Sequence, residues 1–70
     1  MDADSLYQTL RHVYLHPVSV SSDFSRYHAQ QIAALASLGL VSSRVGRREF
    51  GKVWRITEEG METLQIEGFL

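Results

Sequence analysis

The chain has 70 residues, 44% of them hydrophobic, and a formal net charge of −1, which gives room for one globular domain with a thin core. Because it contains no cysteine, disulfides and cysteine-bound metals are excluded, and no apolar run approaches the ~20 residues that span a bilayer. The start of the chain, with Asp2 and Asp4, is acidic and therefore unlike a secretory signal. We therefore expect a single cytoplasmic domain over residues 1–70, without a membrane segment.

The positive charges are concentrated in one segment. Between positions 44 and 55, five basic residues are opposed by Glu49 alone, so these twelve residues carry a net charge of +4 and the rest of the chain −5. Such an asymmetry indicates a basic surface on an otherwise acidic protein. The five basic residues are Arg44, Arg47, Arg48, Lys52 and Arg55.

The N-terminal half has the pattern of two helices separated by a short strand. Residues 4–16 repeat apolar side chains at helical spacing, and Pro17 ends this helix because the residue before a proline disfavours helical angles. Residues 18–20 suit a brief strand and residues 21–23 suit a helix start, so a second helix is predicted over residues 24–38. Its apolar face holds Phe24, Ile32, Leu35 and Leu38, and its opposite face holds Arg26, Gln30, Ala33 and Ser37.

The pattern changes to a period of two after Gly39, a residue type that commonly ends helices in a left-handed conformation. Residues 40–45 and 52–57 are predicted to pair as antiparallel strands, with Gly46 and Gly51 bracketing a basic loop.

The last predicted helix begins at a Thr57 cap and runs to about residue 66. Glu58 and Glu59 occupy its first turn, where the helix dipole favours negative charge. The predicted core is formed by the inward apolar faces of all these elements. Its members are Leu10, Val13, Ile32, Leu35, Leu38, Trp54 and Ile56.

Two segments make this order of elements specific. The first, Leu35-Ala36-Ser37-Leu38-Gly39-Leu40-Val41, ends a helix and starts a strand, and the second, Trp54-Arg55-Ile56-Thr57-Glu58-Glu59-Gly60, ends a strand and starts a helix. With a basic loop between them, they resemble the winged helix-turn-helix DNA-binding proteins of bacteria and phages. In that family the first kind of segment closes the recognition helix and the second closes the wing. The resemblance covers roughly residues 5–66.

The resemblance implies a fold, from which the chain departs at one place. The implied fold is α+β, mainly α: a winged helix-turn-helix with three helices, a two-stranded β-hairpin wing and a possible short third strand. Family members carry a full helix before the recognition helix, but too few residues separate Pro17 from Tyr27 for one here. We therefore expect that helix to be reduced to a turn around residues 22–25 or fused into the next helix.

The function that the resemblance implies is sequence-specific binding of double-stranded DNA by a transcriptional or phage regulator. The helix over residues 26–38 would enter the major groove, where arginine can pair with guanine and glutamine with adenine. Serine hydroxyls and free N–H groups at the helix start can hold a phosphate, and the wing would contact phosphates or the minor groove. The predicted DNA contacts are Ser22, Arg26, Tyr27, Gln30, Arg44, Arg47, Arg48 and Lys52.

Two other interpretations stay open. The polar residues can be ordinary solvated side chains, and the same fold can serve as a protein-protein interaction module without DNA binding, with Phe50 of the wing as an anchor. In the DNA-binding case a homodimer is expected, because one small domain binds weakly and two half-sites strengthen the contact. The apolar residues available for a dimer contact are Tyr7, Tyr14, Leu15, Ile66, Phe69 and Leu70.

Enzymatic, cofactor and metal sites are not predicted. The sequence has no glycine-rich phosphate loop and no paired carboxylates with an obvious base. His12 and His16 have the i, i+4 spacing that can grip a metal, but no third ligand accompanies them. Trp54 is expected in the core rather than as a stacking platform for bases. The expected partners are double-stranded DNA and a second copy of the chain, with another protein as the alternative.

Overall fold

The computed structural model describes residues 3–46 and 49–70, and over these ranges the fold is α+β and mainly helical. The described ranges form four helices and one three-stranded antiparallel sheet, so the predicted class is confirmed and the predicted number of three helices is wrong. None of these helices has the length and apolar character needed to cross a membrane. The elements, in chain order, are α1 Ala3–Leu15, β1 Val18–Ser19, α2 Asp23–Tyr27, α3 Ala29–Ser37, β2 Val41–Arg44, β3 Phe50–Ile56 and α4 Glu58–Ile66.

Helix α1 forms where the sequence predicts it and supplies the centre of the core. Leu10 and Val13, one turn apart, are fully buried. The buried hydroxyl of Thr9 donates to the Ser5 carbonyl at 3.0 Å, which satisfies a polar group that burial removes from water. Helix α1 packs against α3, α4 and β3, and it is therefore the common support of the elements described below.

The helix predicted over residues 24–38 is interrupted at His28, which separates α2 from α3. His28 has φ −107° and ψ 28°, outside the range of regular helices. Its N–H still donates to the Phe24 carbonyl at 2.9 Å, and its carbonyl accepts from the Ile32 N–H at 2.9 Å. The chain therefore changes direction here without a loop.

Two serine hydroxyls explain why α2 takes its own direction. Ser22 Oγ accepts from the Ser25 N–H at 3.2 Å and so caps α2. The hydroxyls of Ser22 and Ser25 both donate to the Ser19 carbonyl of β1, at 2.7 and 2.6 Å. The segment is thus neither a bare turn around residues 22–25 nor fused into the next helix. It is a separate five-residue helix that is tied to β1.

The sheet has the strand order β1-β3-β2, so the possible short third strand is present. β1 pairs with the middle of β3. β2 pairs with the parts of β3 on either side, with a register irregularity between Ser42 and Arg44. Gly51 suits this irregularity, because a Cβ there would lie 2.7 Å from Val45 Cγ1 and 3.3 Å from the Ser43 carbonyl oxygen.

Most of the predicted core is buried, but Leu38 is not. Leu38 is 63% exposed, which corrects the prediction, and Trp54 and Ile56 are half-buried against the core. The predicted residues that are buried are Leu10, Val13, Ile32 and Leu35. The buried hydrophobic residues that the sequence analysis left out are Leu40, Val41 and Leu64.

The end of α3 explains why Leu40 rather than Leu38 reaches the core. Gly39 has φ +76°, and its N–H donates to the Ala36 carbonyl at 3.0 Å. The Leu40 N–H donates to the Leu35 carbonyl at 2.9 Å. This is the Schellman pattern, in which a left-handed residue reverses the chain and brings the next side chain back onto the helix. Leu40 and Leu35 therefore join the same cluster, while Leu38 stays outside.

Helix α4 ends in the same way, and its end brings Phe69 back to the core. Gly68 has φ +79°, and the Phe69 N–H donates to the carbonyl of Leu64 at 2.9 Å. Leu64 is fully buried, and the Phe69 ring lies 5.6 Å from the ring of Tyr7. Phe69, which the sequence analysis offers to a dimer partner, is therefore packed against its own chain.

The two segments that carry the resemblance meet at Thr57. Its N–H donates to the Leu40 carbonyl at 3.0 Å, and its hydroxyl donates to the Gly39 carbonyl at 2.7 Å. The same hydroxyl accepts from the Gly60 N–H at 3.0 Å, which confirms the predicted cap of α4. Gly60 lies so close that a Cβ there would overlap the Leu40 carbonyl oxygen and lie 2.6 Å from Ile56 Cγ1. Thr57 thus joins the end of α3 to the start of α4.

Candidate nucleic-acid interface

The outward face of α3 is exposed and uncharged. Gln30, Ala33 and Ser37 lie on it, as the helical projection predicts, while Ile32 and Leu35 point to the core. The helix sequence, AQQIAALAS, contains no acidic or basic residue. This face therefore offers a partner hydrogen-bonding groups and methyl groups, but no charge to attract a phosphate.

Arg26 and Tyr27 belong to α2 and not to the helix that carries Gln30. The Arg26 guanidinium pairs with the Asp23 carboxylate, and the two side chains are 74% and 95% exposed. An ion pair in such exposure contributes little to stability, so a phosphate can replace the carboxylate at little cost. Tyr27 is 86% exposed, with its ring edge against His28 at a centroid distance of 5.1 Å. Its hydroxyl is thus open to a partner.

Ser22 has a structural task in α2. Its hydroxyl donates to the Ser19 carbonyl at 2.7 Å and accepts from the Ser25 N–H at 3.2 Å. Its own N–H donates to the same carbonyl at 3.1 Å. A phosphate contact would have to break this cap, so we leave Ser22 out of the interface described below.

The hairpin of β2 and β3 presents its cations to solvent. Arg44, Lys52 and Arg55 are all exposed, and the Arg44 guanidinium lies 5.8 Å from the centre of the Phe50 ring. Among the described residues the one ion pair is that of α2. The predicted contacts Arg47 and Arg48 lie outside the described residues.

The hairpin differs from the prediction in the start of β3 and in one additional cation. β3 begins at Phe50, so Phe50 belongs to the strand and not to the loop. Arg55 adds a cation that the list of predicted contacts omits, although it belongs to the same basic segment. It pairs with Ser42 across the two strands, and its alternation with the half-buried Trp54 is the signal that marks it as outward.

A groove joins the N-terminal part of α3 to the sheet. Val20, which follows β1, and residues of α2, α3 and β3 line it, among them Arg26, Ala33 and Trp54. The Val20 N–H donates to the carbonyl of Lys52 at 2.9 Å, so the backbone of Lys52 lies next to a groove residue, and Arg26 lines the groove itself. Ala29 and Ala33 of the uncharged helix face and Trp54 of the hairpin therefore line one groove.

No protein-family model, curated protein or solved structure matches the chain. Any function assigned to this surface therefore depends on its own geometry and chemistry.

The acidic residues are concentrated on another element. Helix α4 carries Glu58, Glu59 and Glu62 and no basic residue, and the first two lie in its first turn, where the helix dipole favours them. Leu64 anchors α4 to the core beside α1. The strands β2 and β3 therefore carry only basic charges, and α4 carries only acidic ones.

A cluster of imidazoles lies where α1 meets α2. The His12 ring stacks on the Phe24 ring at a centroid distance of 4.0 Å with 14° between the planes. The His28 ring lies 4.4 Å from the Phe24 ring, and the His16 ring lies 5.9 Å from the His12 ring. Burial, followed by repulsion from His16 and His28, lowers the pKa of His12 below its ordinary value. Within the described ranges no three His, Asp or Glu side chains form a group that could hold a metal ion.

The lowered pKa of His12 predicts that the folded state loses stability in mild acid. The unfolded chain, with an ordinary histidine pKa of 6.5, binds a proton more readily than the folded chain, so stability is complete above that pH and is lost as the pH falls below it. We expect a lower melting temperature at pH 5.5 than at pH 7.5. Both of these pH values lie above most carboxylate pKa values. Thermal unfolding followed by circular dichroism measures this.

His12→Phe is the informative variant, since it keeps an aromatic ring against Phe24 without a titrating group. Its melting temperature should depend less on pH than that of the wild type. His16→Gln is the control and should keep most of the dependence, because burial is the larger cause of the shift. Equal pH dependence in the wild type and His12→Phe would show that His12 is not the responsible group.

Proposed function

We propose that this chain binds double-stranded DNA sequence-specifically as a transcriptional or phage regulator of the winged-helix type. In the proposed complex α3 enters the major groove and the β2–β3 hairpin lies on the phosphate backbone. The proposal is supported by the element order of helix, strand, two helices, hairpin and helix, with the first strand added to the hairpin in the order β1-β3-β2. This is the order that the winged-helix resemblance implies with one helix added, the five-residue α2 before α3.

One observation carries most of the proposal. An exposed, uncharged helix face that carries Gln30 contributes Ala29 and Ala33 to a groove, and Trp54 of a hairpin with exposed cations lines the same groove. DNA-binding proteins use these two kinds of surface for different contacts, because phosphate contacts give affinity and orientation, while base-edge contacts give specificity. In this arrangement Lys52 and Arg26 would meet the backbone, and Gln30 would meet the base edges.

The separation of charge supports the same orientation. The glutamates of α4 would be repelled by the phosphates, and the cations of the hairpin would be attracted. A protein with a net charge of −1 can therefore still approach DNA with a defined side forward, since local fields steer association even where the total charge is small.

A protein partner is the second candidate, and one observation favours it. Phe50 and Val45 are both 69% exposed at the hairpin, where an exposed aromatic can act as an interface anchor. The guanidinium of Arg44 lies over the Phe50 ring. This surface therefore suits a hydrated, cationic contact as well as an apolar one. Failure of the DNA-binding test below would make this candidate the better one.

A homodimer also stays a prediction. Leu15, Ile66 and Leu70 are exposed at 48%, 81% and 52%, whereas Tyr7 and Phe69 pack against each other. The surface left for a second copy is therefore smaller than the sequence predicts, and two half-sites on DNA would hold the copies together.

The proposed function is tested by measuring affinity against salt. A fluorescent random-sequence duplex is titrated with the protein between 50 and 200 mM salt, and anisotropy gives the binding constant. With three to five phosphate contacts, the logarithm of the affinity should fall linearly with the logarithm of the salt concentration, with a slope of about −3 to −5. Single-stranded DNA of the same sequence is the control and should bind more weakly. An absence of duplex binding at 50 mM salt would refute the proposal.

A further inference from the structure

The four base pairs are chemically distinct in the major groove. Adenine presents an acceptor and a donor that match the amide of glutamine or asparagine, and thymine presents a methyl group that favours apolar contact. Guanine presents two acceptors that match arginine or lysine, and cytosine presents a donor that matches a carboxylate. The residue types on a reading helix therefore indicate which pairs it can distinguish.

The exposed face of α3 carries the residue types that match adenine and thymine. Gln30 supplies an amide, and the methyl groups of Ala29 and Ala33 are exposed beside it. Ser37 can hydrogen-bond to any base. The nine residues of α3 include no arginine, lysine, aspartate or glutamate. The helix thus has the groups that recognise A·T pairs and lacks those that recognise G·C pairs.

Arg26 is the nearest side chain that could read guanine, and its position makes it a backbone contact. It lies on α2, which His28 separates from α3 by a change of direction. Its guanidinium is held at Asp23 on the same short helix. Asp23 would travel with Arg26 into the groove and weaken a guanine contact, whereas a phosphate contact requires the exposed Arg26 side chain to leave Asp23 and reach the backbone away from that carboxylate.

We propose that α3 selects A·T base pairs in the major groove, an inference that rests on the proposed DNA binding. From Ala29 to Ser37 the helix rises by ~12 Å, which corresponds to roughly three or four base pairs. Each half-site therefore has an A·T core of this length, with adenine opposite Gln30 and thymine methyls opposite the alanines. G·C pairs at these positions leave the Gln30 amide mismatched and the alanine methyls without contact.

A competing source of A·T preference lies in the other groove. Basic side chains of a wing prefer the narrow minor groove of A-tracts, and selection of A·T-rich DNA alone would not separate the two. Inosine·cytosine pairs separate them, because they present the minor groove of an A·T pair and the major groove of a G·C pair. Uracil in place of thymine removes only the major-groove methyl.

The test begins with selection from a random 20-base-pair duplex library, followed by anisotropy on the selected site and its substituted forms. We expect an A·T core. Replacing one of its pairs by G·C or by inosine·cytosine should weaken binding by about 5- to 150-fold, and replacing thymine by uracil should weaken it less. Gln30→Ala should remove most of the discrimination at the adenine, so that the site and its G·C-substituted form bind this variant with similar affinity.

Gln31→Ala is the matched control for Gln30→Ala. Gln31 is half-buried, with its amide nitrogen 3.4 Å from Ser5 Oγ of α1, so its loss should not change discrimination. Selection of a G·C core, selection of no core, or equal binding of A·T and inosine·cytosine sites would overturn the inference. In the first and third of these cases site-specific, salt-dependent binding to DNA persists and the proposed function stands, whereas selection of no core would also overturn the sequence specificity of the proposed function. A complete lack of duplex binding would refute both.

Discussion

Replacing Gly60 by valine should leave the chain unfolded at 25 °C. A Cβ at this position overlaps the Leu40 carbonyl oxygen and lies 2.6 Å from Ile56 Cγ1. The first of these is backbone and cannot rotate away, so α4 must move, which breaks the contacts of Thr57 with Gly39 and Leu40. Overpacking alone costs about 1–3 kcal/mol, and each broken hydrogen bond about 1 kcal/mol more. A domain of this size has only a few kcal/mol to lose.

Far-ultraviolet circular dichroism and urea unfolding measure this effect. Gly46→Ala is the control, because the nearest atom to a Cβ there is Glu49 Cβ at 4.0 Å and its φ is not positive. This variant should unfold within about 0.5 kcal/mol of the wild type. A Gly60→Val protein with the wild-type urea midpoint would show that Gly60 does not lie against Leu40 and Ile56 as described.

The same junction shows why part of the fold can be predicted from the sequence. The helix end at Gly39, the strand start at Leu40 and the cap at Thr57 are separate local signals. In the folded chain they are hydrogen-bonded to one another, and at position 60 glycine is the only residue type that fits beside them. Segments that must meet in space restrict each other's residues, and their joint presence is therefore more informative than either alone.

The break at His28 could not be predicted from local signals. Neither glycine nor proline marks it, and the helical period continues across it in the sequence. The cause is tertiary: Ser22 and Ser25 bind the Ser19 carbonyl and set the direction of α2. Leu38 has a local reason instead, because its helical phase points inward but it lies one residue beyond the last regular turn of α3, just before the left-handed Gly39.

The same difference between local signals and tertiary contacts decides which residues of the candidate site can be predicted from the sequence. The outward position of Gln30, Ala33 and Ser37 follows from helical spacing within one element, so the sequence predicts it. The assignment of Arg26 to the same helix depends on an element boundary, and it is wrong. The role of Ser22 depends on a partner in another element, the Ser19 carbonyl, which no sequence pattern indicates.

Replacing both Arg44 and Lys52 by alanine should cause the largest loss of DNA binding among the variants considered. Both side chains are exposed on the hairpin, so the fold should persist. Each lost phosphate contact reduces the salt slope by about 0.9, so the slope should become less steep by nearly two units. At 50 mM salt the same relation predicts an affinity for random duplex that is lower by on the order of 100-fold. Replacement of Arg47 and Arg48 is expected from the sequence to act in the same way.

Arg11→Glu is the charge-matched control, since it changes the net charge by the same two units as the double variant. Arg11 is exposed on α1 and lies beside Gln8, Leu15 and Phe69, apart from the groove and the hairpin. If binding depends on total charge, the two proteins should lose affinity equally. If the hairpin meets the phosphates, the double variant should lose far more and should alone have the shallower salt slope. Equal losses would remove the hairpin from the interface, and Phe50 with its exposed neighbours would then be the better candidate for a partner contact.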